Sequence, residues 1–431
     1  MSTGKEELFK NWPILVVAFL LIFFAFGVPN YSMPWMYRPA MDEFGWSNAQ
    51  VNMLATAKFV IGAIAALGMG IMVDKIGAKV AVLIGTVSGG AALAMFWFAT
   101  SLPIYYLAGG LLGLSASSIV AAMKIVLSRL FTIHQGLAVG IVLSGTTLGG
   151  IVMPLVWVPM LEIMNWRSIA TFMSLGAFLI AVPLWLIFMS RTGAVQDSIN
   201  SGSKEQGDGT GLWEHFKQIS RDKGFAFIVL GIFLTSAVDQ AMMQNYVNIL
   251  SADNGVVLSN IAWAGSFMGV LGVVARIGSG WFYDRFSIFG IRISYFLLAL
   301  SVFLILPVAG VMSLFLFITA RGVAHGGLIV EAPVLAKHYL GARNLGMTIG
   351  VISVFINMGF AVGPPVLGHF ADVNGDFKLG ILIYGCLALV GLALLLPIKP
   401  RYWTPPSQRK QELAGDAAQV PPEPRPAGAA G

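Results

Sequence analysis

The chain has 431 residues, of which 57% are hydrophobic and 11% charged, and a mean hydropathy of +0.80. Soluble domains carry roughly 25% charge, so a water-facing globule is excluded, and apolar runs recurring from Trp12 to Ile398 mark helices of about 20 residues that cross a bilayer. The formal charge of +6 is spread among loops and leaves no nucleic-acid footprint, the single cysteine, Cys386, excludes an intrachain disulfide, and five scattered histidines form no metal-ligand cluster.

The first apolar run, Trp12 to Met33, is too long for a signal-peptide core and reads as a first helix. Pro29, Pro34 and Pro39 are expected to interrupt it, because each removes a backbone donor. Twelve spans follow from hydropathy: 12–36, 48–73, 80–100, 103–129, 136–160, 168–190, 223–248, 257–283, 291–309, 314–339, 345–368 and 378–398. Residues 191–222 are polar and Gly/Ser-rich, which predicts a linker, with a short amphipathic helix over Trp213–Lys223. The Pro- and Gly-rich end of the chain predicts a disordered tail over 399–431. The expected organisation is therefore a six-helix bundle over 1–190, a linker over 191–222, a second six-helix bundle over 223–398 and the tail.

With twelve spans both termini share a face, and nineteen of the 26 lysines and arginines fall there, against only Arg38, Arg167 and Lys378 opposite. The positive-inside rule then places both termini in the cytoplasm, in a plasma membrane of bacterial inner-membrane type. An offset of 210 positions relates Gly70 to Gly280, Asp74 to Asp284, Gly149 to Gly359 and Pro154 to Pro364. The fold class expected is all-α, with twelve transmembrane helices in two pseudo-symmetric halves built from a parallel repeat.

Six charges lie inside spans: Lys58, Lys124, Asp239, Arg276, Arg321 and Glu331. Charges at that depth face the bundle interior or a wet cavity, and four cations against two acids predict a site that attracts anions. Arg276 is eight residues before Asp284, hence about 12 Å from the helix end at 1.5 Å per residue. Its planar fork of donors suits a carboxylate, which is either that of a substrate or that of Glu331, at similar depth. Lys58 is a second anion-binding cation or a side chain that reaches for the interface. Lys124 is shallow enough to do the same. Asp239 and Glu331 are candidates for proton coupling or charge compensation. Arg321 is a tie to backbone carbonyls or a substrate contact, and His325 a proton relay or a packing residue. Tyr31 is a gate or an interfacial aromatic, and Gln240, Asn245 and Asn357 are hydrogen-bonding groups for the cavity. No nucleophile–base pair, phosphate loop or metal-ligand helix appears, so no enzymatic activity and no cofactor beyond a coupling proton is expected.

The segment G-I-M-V-D-K-I-G-A-K, Gly70 to Lys79, resembles the loop signature of the major facilitator superfamily, with Asp74, Lys75, Gly77 and Lys79 in place, and G-W-F-Y-D-R at Gly280 to Arg285 resembles its second copy. The resemblance implies the fold of that superfamily and a gating role for Asp74, Lys79, Asp284 and Arg285. M-D-E-F-G-W-S, R-L-F-T-I-H-Q-G-L-A-V-G and A-R-I-G-S-G-W-F-Y-D-R resemble the monocarboxylate transporters and the bacterial oxalate/formate antiporters. That group holds the substrate carboxylate with an arginine at the position of Arg276. Its animal members carry an aspartate where Gly272 stands, and its oxalate exchangers use a span-11 lysine that is absent between Leu345 and Phe370. The resemblance therefore implies proton-coupled symport of a monocarboxylate such as lactate or pyruvate, by a chain that works as a monomer in the lipid bilayer. Carboxylate/carboxylate antiport is the alternative, and a non-transporting receptor or scaffold a remote one.

Overall fold

The computed structural model describes residues 4–131, 135–191, 217, 219–341 and 345–402. The predicted tail beyond residue 402, most of the linker and the side chain of Asp74 lie outside the described residues. Eleven of the described helices are long and apolar enough to cross a membrane, and a twelfth is shorter. They are α1 (Asn11–Phe44), α2 (Asn48–Ala66), α3 (Gly77–Phe98), α4 (Leu102–Lys124), α5 (Leu137–Ile163), α6 (Trp166–Ile187), α7 (Lys223–Asp253), α8 (Leu258–Phe286), α9 (Ile288–Leu304), α10 (Val311–Leu328), α11 (Met347–Asn374) and α12 (Lys378–Leu395). Large apolar side chains cover the outside of the bundle: Trp263 is 70% exposed, Ile277 75% and Val311 79%. A surface of that kind is stable against lipid and not against water.

Between α2 and α3 the helical path breaks at one residue, Gly77, with φ 82° and ψ 153°. A side chain would be strained at that φ, which is why the loop signature needs glycine there. The predicted interruption of α1 is absent. The helix runs on through Pro34 and Pro39, with a π turn at Phe23–Gly27 ahead of Pro29. Pro29 cannot donate to the carbonyl of Ala25, four residues back, and Ser115 Oγ of α4 donates to that carbonyl instead at 2.8 Å. The same substitution occurs in α11, where Pro365 frees the carbonyl of Ala361 and Thr56 Oγ1 of α2 donates to it at 2.5 Å. Neighbouring helices thus repair the ladder inside the membrane, as lipid cannot.

The 210-residue repeat is visible in the packing. A Cβ on Gly149 of α5 would run into the backbone of Gly27 in α1, and a Cβ on Gly359 of α11 would meet the Phe233 carbonyl at 2.5 Å and the Ala237 nitrogen at 2.9 Å in α7. Gly27 and Ala237 are related by the same offset, so α1–α5 and α7–α11 are equivalent contacts in two six-helix halves.

The halves close against each other on the face opposite the termini. Asp372, at the end of α11, caps the start of α2: its carboxylate accepts from Asn48 N at 2.7 Å, Ala49 N at 2.9 Å and Asn48 Nδ2 at 3.0 Å. Those are amides that a helix start leaves without partners. Deeper in, Asn52 and Asn245 exchange side-chain hydrogen bonds at 2.8 and 3.0 Å, both fully buried, and Tyr37 donates to Gln244 at 2.9 Å. Asn245, read from the sequence as a cavity residue, belongs to this closure.

Outside the membrane, Asp222 caps the start of α7 through Gly224 N at 2.8 Å and receives Arg401 and Tyr339. Partial burial pushes its carboxyl up, but the hydrogen bonds from Arg401, Gly224 and Tyr339 outweigh this and hold it below the usual carboxylate range. Arg401 and Tyr402 also donate their backbone amides to the His338 carbonyl at 2.9 and 3.0 Å, which ties the chain after α12 to the π-helical turn Ala336–Leu340 that follows α10.

Losing a helix cap costs about 1–2 kcal/mol, a factor of roughly 5–30 in a two-state population. Asp372→Ala should therefore shift the protein toward separation on this face. Spin labels at Thr100 and Val373, on a Cys386→Ser background, should report a longer-distance population that is minor or missing without the substitution.

Candidate functional site

A cavity of about 580 Å³ lies between the halves and reaches from mid-bundle to Lys124, an exposed residue near the termini face. This is within the range of small-molecule sites, about 300–1,000 Å³. Seven residues singled out from the sequence line it: Tyr31 (α1), Lys58 (α2), Lys124 (α4), Gln240 (α7), Arg276 (α8), His325 (α10) and Asn357 (α11).

Arg276 is held at the seam. α10 packs tightly on α8 because residue 326 is glycine: a Cβ there would meet the Gly272 carbonyl at 2.6 Å and the Arg276 nitrogen at 2.9 Å. Across the seam, Arg276 Nη1 donates to Thr147 Oγ1 of α5 at 3.1 Å, while its Nε is buried without an acceptor. A buried unpaired donor of a charged group is costly, and here it is beside the cavity. The Arg276–Glu331 pairing considered from sequence is not formed. Glu331 starts a second helical piece, Glu331–Leu335, after α10 breaks at Ile329–Val330; it is buried, its Oε2 has no partner, and it is not among the cavity lining.

Lys58 is 3% exposed and does not reach for the interface. Its Nζ donates to Asn30 Oδ1 and lies 4.5 Å from the centre of the Phe59 ring. A ring face offsets part of the cost of desolvating an ammonium.

Among the described residues at this depth, Arg321 and Asp239, each read from the sequence with two possible roles, form an ion pair. Arg321 Nη1 donates to Asp239 Oδ1 at 2.7 Å and Arg321 Nη2 to the Asp239 backbone carbonyl at 2.6 Å, with side-chain exposures of 1% and 3%. The expected tie to a carbonyl is present, and the carboxylate adds a fork-like second contact. His325 Nδ1 is 3.1 Å from each Asp239 oxygen while its ring borders the cavity.

Asp239 is matched by Arg321, and the described cavity lining holds Lys58, Lys124 and Arg276 but no carboxylate. Toward the outer face the space narrows to about 20 Å³ between Tyr31, Pro154, Gly265, Gly269, Arg276 and His325, so Tyr31 stands at the constriction. Asn357 donates to the Ser353 carbonyl at 2.8 Å and leaves its amide oxygen for the cavity.

The residues read as gating lie away from this lining. Lys79 is near the start of α3, where its carbonyl accepts from Trp185 Nε1 at 3.1 Å. Asp284 and Arg285 are exposed at the end of α8, with Arg285 5.9 Å from the Trp281 ring. Sequence reasoning missed Thr147 and Asp372. Nothing in the sequence separates Thr147 from other hydroxyls in glycine-rich spans, and Asp372 reads as an ordinary loop acid until α2 is placed beneath it.

The sequence profile of the Major Facilitator Superfamily matches residues 15–317 and 246–428. The Xenopus laevis protein named monocarboxylate transporter 12 is 25% identical over 344 residues, 74% of this chain and 74% of that protein. Monocarboxylate transporter 13 of Bos taurus is 23% identical over 421 residues, 94% of each chain. Among solved structures, the nucleoside transporter NupG superposes with a TM-score of 0.73 at 14% identity, over 89% of this chain and 99% of that one. A bacterial homologue of the human lysosomal transporter Spinster, inward-facing and unoccupied, gives 0.66 at 14% identity, over 89% and 94%. At these identities the two structures establish the fold alone.

Removing one partner of a buried pair costs about 3–5 kcal/mol, whereas replacing both with apolar groups of similar volume is often neutral. Asp239→Ala should lower the thermal unfolding temperature in detergent markedly, and Asp239→Leu combined with Arg321→Met should recover most of the loss.

Proposed function

Because this chain belongs to the major facilitator superfamily, it is a secondary transporter and not an enzyme, and we propose that it carries a small monocarboxylate, such as lactate or pyruvate, together with a proton by alternating access. The observation that carries this reading is the sign of the cavity: Lys58, Lys124 and Arg276 on its lining, and no acid among the described lining residues. A cavity with three cations in a low-dielectric wall concentrates anions and repels cations. The names of the relatives in Xenopus laevis and Bos taurus support the same substrate class.

In this reading Arg276 is the carboxylate clamp. Its Nε lacks an acceptor and its Nη1 is held only by a neutral hydroxyl, so a carboxylate supplies a charge-assisted partner where none exists. Lys58 belongs to the first half and Arg276 to the second. An anion bound between them draws the halves together on the open side, while the capped side stays shut until they do. The sequence assigns nineteen basic residues to the termini side, so that face is cytoplasmic by the positive-inside rule and this arrangement is the inward-open one. Gln240 and Asn357 orient the substrate's second polar group, and Tyr31 blocks the route outward. The one-carboxylate preference follows from the absence of lysine between Leu345 and Phe370.

The test is uptake of labelled lactate into proteoliposomes. An inward proton gradient should drive accumulation above equilibrium, and Arg276→Lys should reduce kcat/KM for uptake at least about tenfold by removing the fork while keeping the charge. Uptake only into vesicles preloaded with a second carboxylate would replace symport with exchange. Failure of a folded sample to move any carboxylate would overturn the reading.

A further inference from the structure

Proton coupling requires a group that exchanges a proton with water, meets the substrate, and is tied to an element that moves. His325 is placed for such a role, since its ring borders the cavity that Arg276 lines and it is tied to Asp239 of α7. Its Nδ1 is 3.1 Å from both oxygens of Asp239. Asp239 also receives Arg321 and therefore accepts and does not donate, so Nδ1 carries the hydrogen. The ring's basic nitrogen is then Nε2, for which the described residues supply no hydrogen-bond partner. The ring is 19% exposed and borders both the main cavity and the constriction beneath Tyr31.

The charges around it make the exchange conditional. Asp239 faces His325 from α7, Arg276 from α8, Tyr31 from α1, and Arg321 lies one turn away on α10 itself; Lys58 of α2 and Lys124 of α4 share the cavity. With the cavity empty, a proton added at Nε2 meets uncompensated cations. With a carboxylate on Arg276, the same proton meets an anion. By linkage each ligand favours the other, and the loaded site carries one added proton and one added negative charge.

We propose that Nε2 of His325, oriented by Asp239, takes up the proton that travels with the substrate anion. This rests on the carboxylate-transport reading and adds the carrier. The proton comes from the aqueous side to Nε2, no covalent bond to substrate forms, and both leave to the opposite side. Asp239 is a positioning residue, since it fixes the tautomer and does not touch the substrate.

The experiment compares wild type with His325→Gln in proteoliposomes. In the variant, accumulation driven by a proton gradient should fall at least about tenfold relative to exchange of labelled for unlabelled lactate, the scale of an ordinary coupling between sites. Substrate affinity in the wild type should depend on pH, and this dependence should flatten in His325→Gln. Proton-driven accumulation equal to the wild type would overturn the proposal. A second measurement needs no variant. In wild-type protein with ¹⁵N-labelled histidine, saturating lactate should convert one imidazole from the Nδ1–H form toward imidazolium, and no such change would overturn it as well. Absence of lactate exchange by the wild type itself would instead remove the underlying carboxylate reading.

Discussion

The pairing of Asp239 with Arg321 sets the character of the interior. The chain places four cations and two acids within its spans, and the site's sign depends on which of them cancel. Had Asp239 or Glu331 met Arg276, the cavity would have been close to neutral there and its arginine occupied. Instead an ion pair of 2.7 Å removes Arg321 and Asp239 from the account together. Arg276 is left with one hydroxyl and a buried unpaired Nε. A buried pair of this kind contributes little net stability compared with apolar packing. Its effect here is to decide which charges remain available, and to present His325 to the cavity in a defined tautomer.

A second constraint is that the bilayer solvates no backbone group. Proline is frequent in these helices, and each one frees a carbonyl that must find a donor. Ser115 supplies one to Ala25 within the first half, and Thr56 supplies another to Ala361 across the two halves. The second bond serves both local repair and closure, because it persists only while α2 and α11 are in register. The cap of Asp372 on α2 has the same double nature. Closure on that face is built from bonds that satisfy helix ends and broken ladders, groups that water can satisfy equally well when the halves part. Such contacts hold one state without forbidding the other, as a rocking carrier requires.

Much of this was legible in the sequence, and the reason differs by feature. Hydropathy fixes the spans because a helix crossing about 30 Å of hydrocarbon needs an apolar run of defined length. α9 ends sooner than expected: 291–309 was expected and Ile288–Leu304 is observed, since Pro307 and Gly310 end the helix early while the residues between remain apolar. The cavity residues were legible one by one, because a charge or amide in an apolar span has few places to go, and seven of them share one cavity. Their partners were not legible. Glu331 was read as Arg276's neighbour from equal depth, but a break at Ile329–Val330 displaces it from the lining. Depth along an axis says nothing of rotation about it.

The sequence by itself determined the membrane class, the duplicated architecture, the sign of the interior charge and the arginine within it, because composition and period are local properties of a chain in lipid. Tertiary structure alone decided that Asp239 takes Arg321, that Thr147 and not Glu331 meets Arg276, that His325 joins a buried carboxylate to the cavity, and that Asp372 seals the opposite face. Each of these is a contact between residues 82 to 324 positions apart in the chain, and only the relative rotation and approach of packed helices brings such groups within the roughly 3 Å of a hydrogen bond.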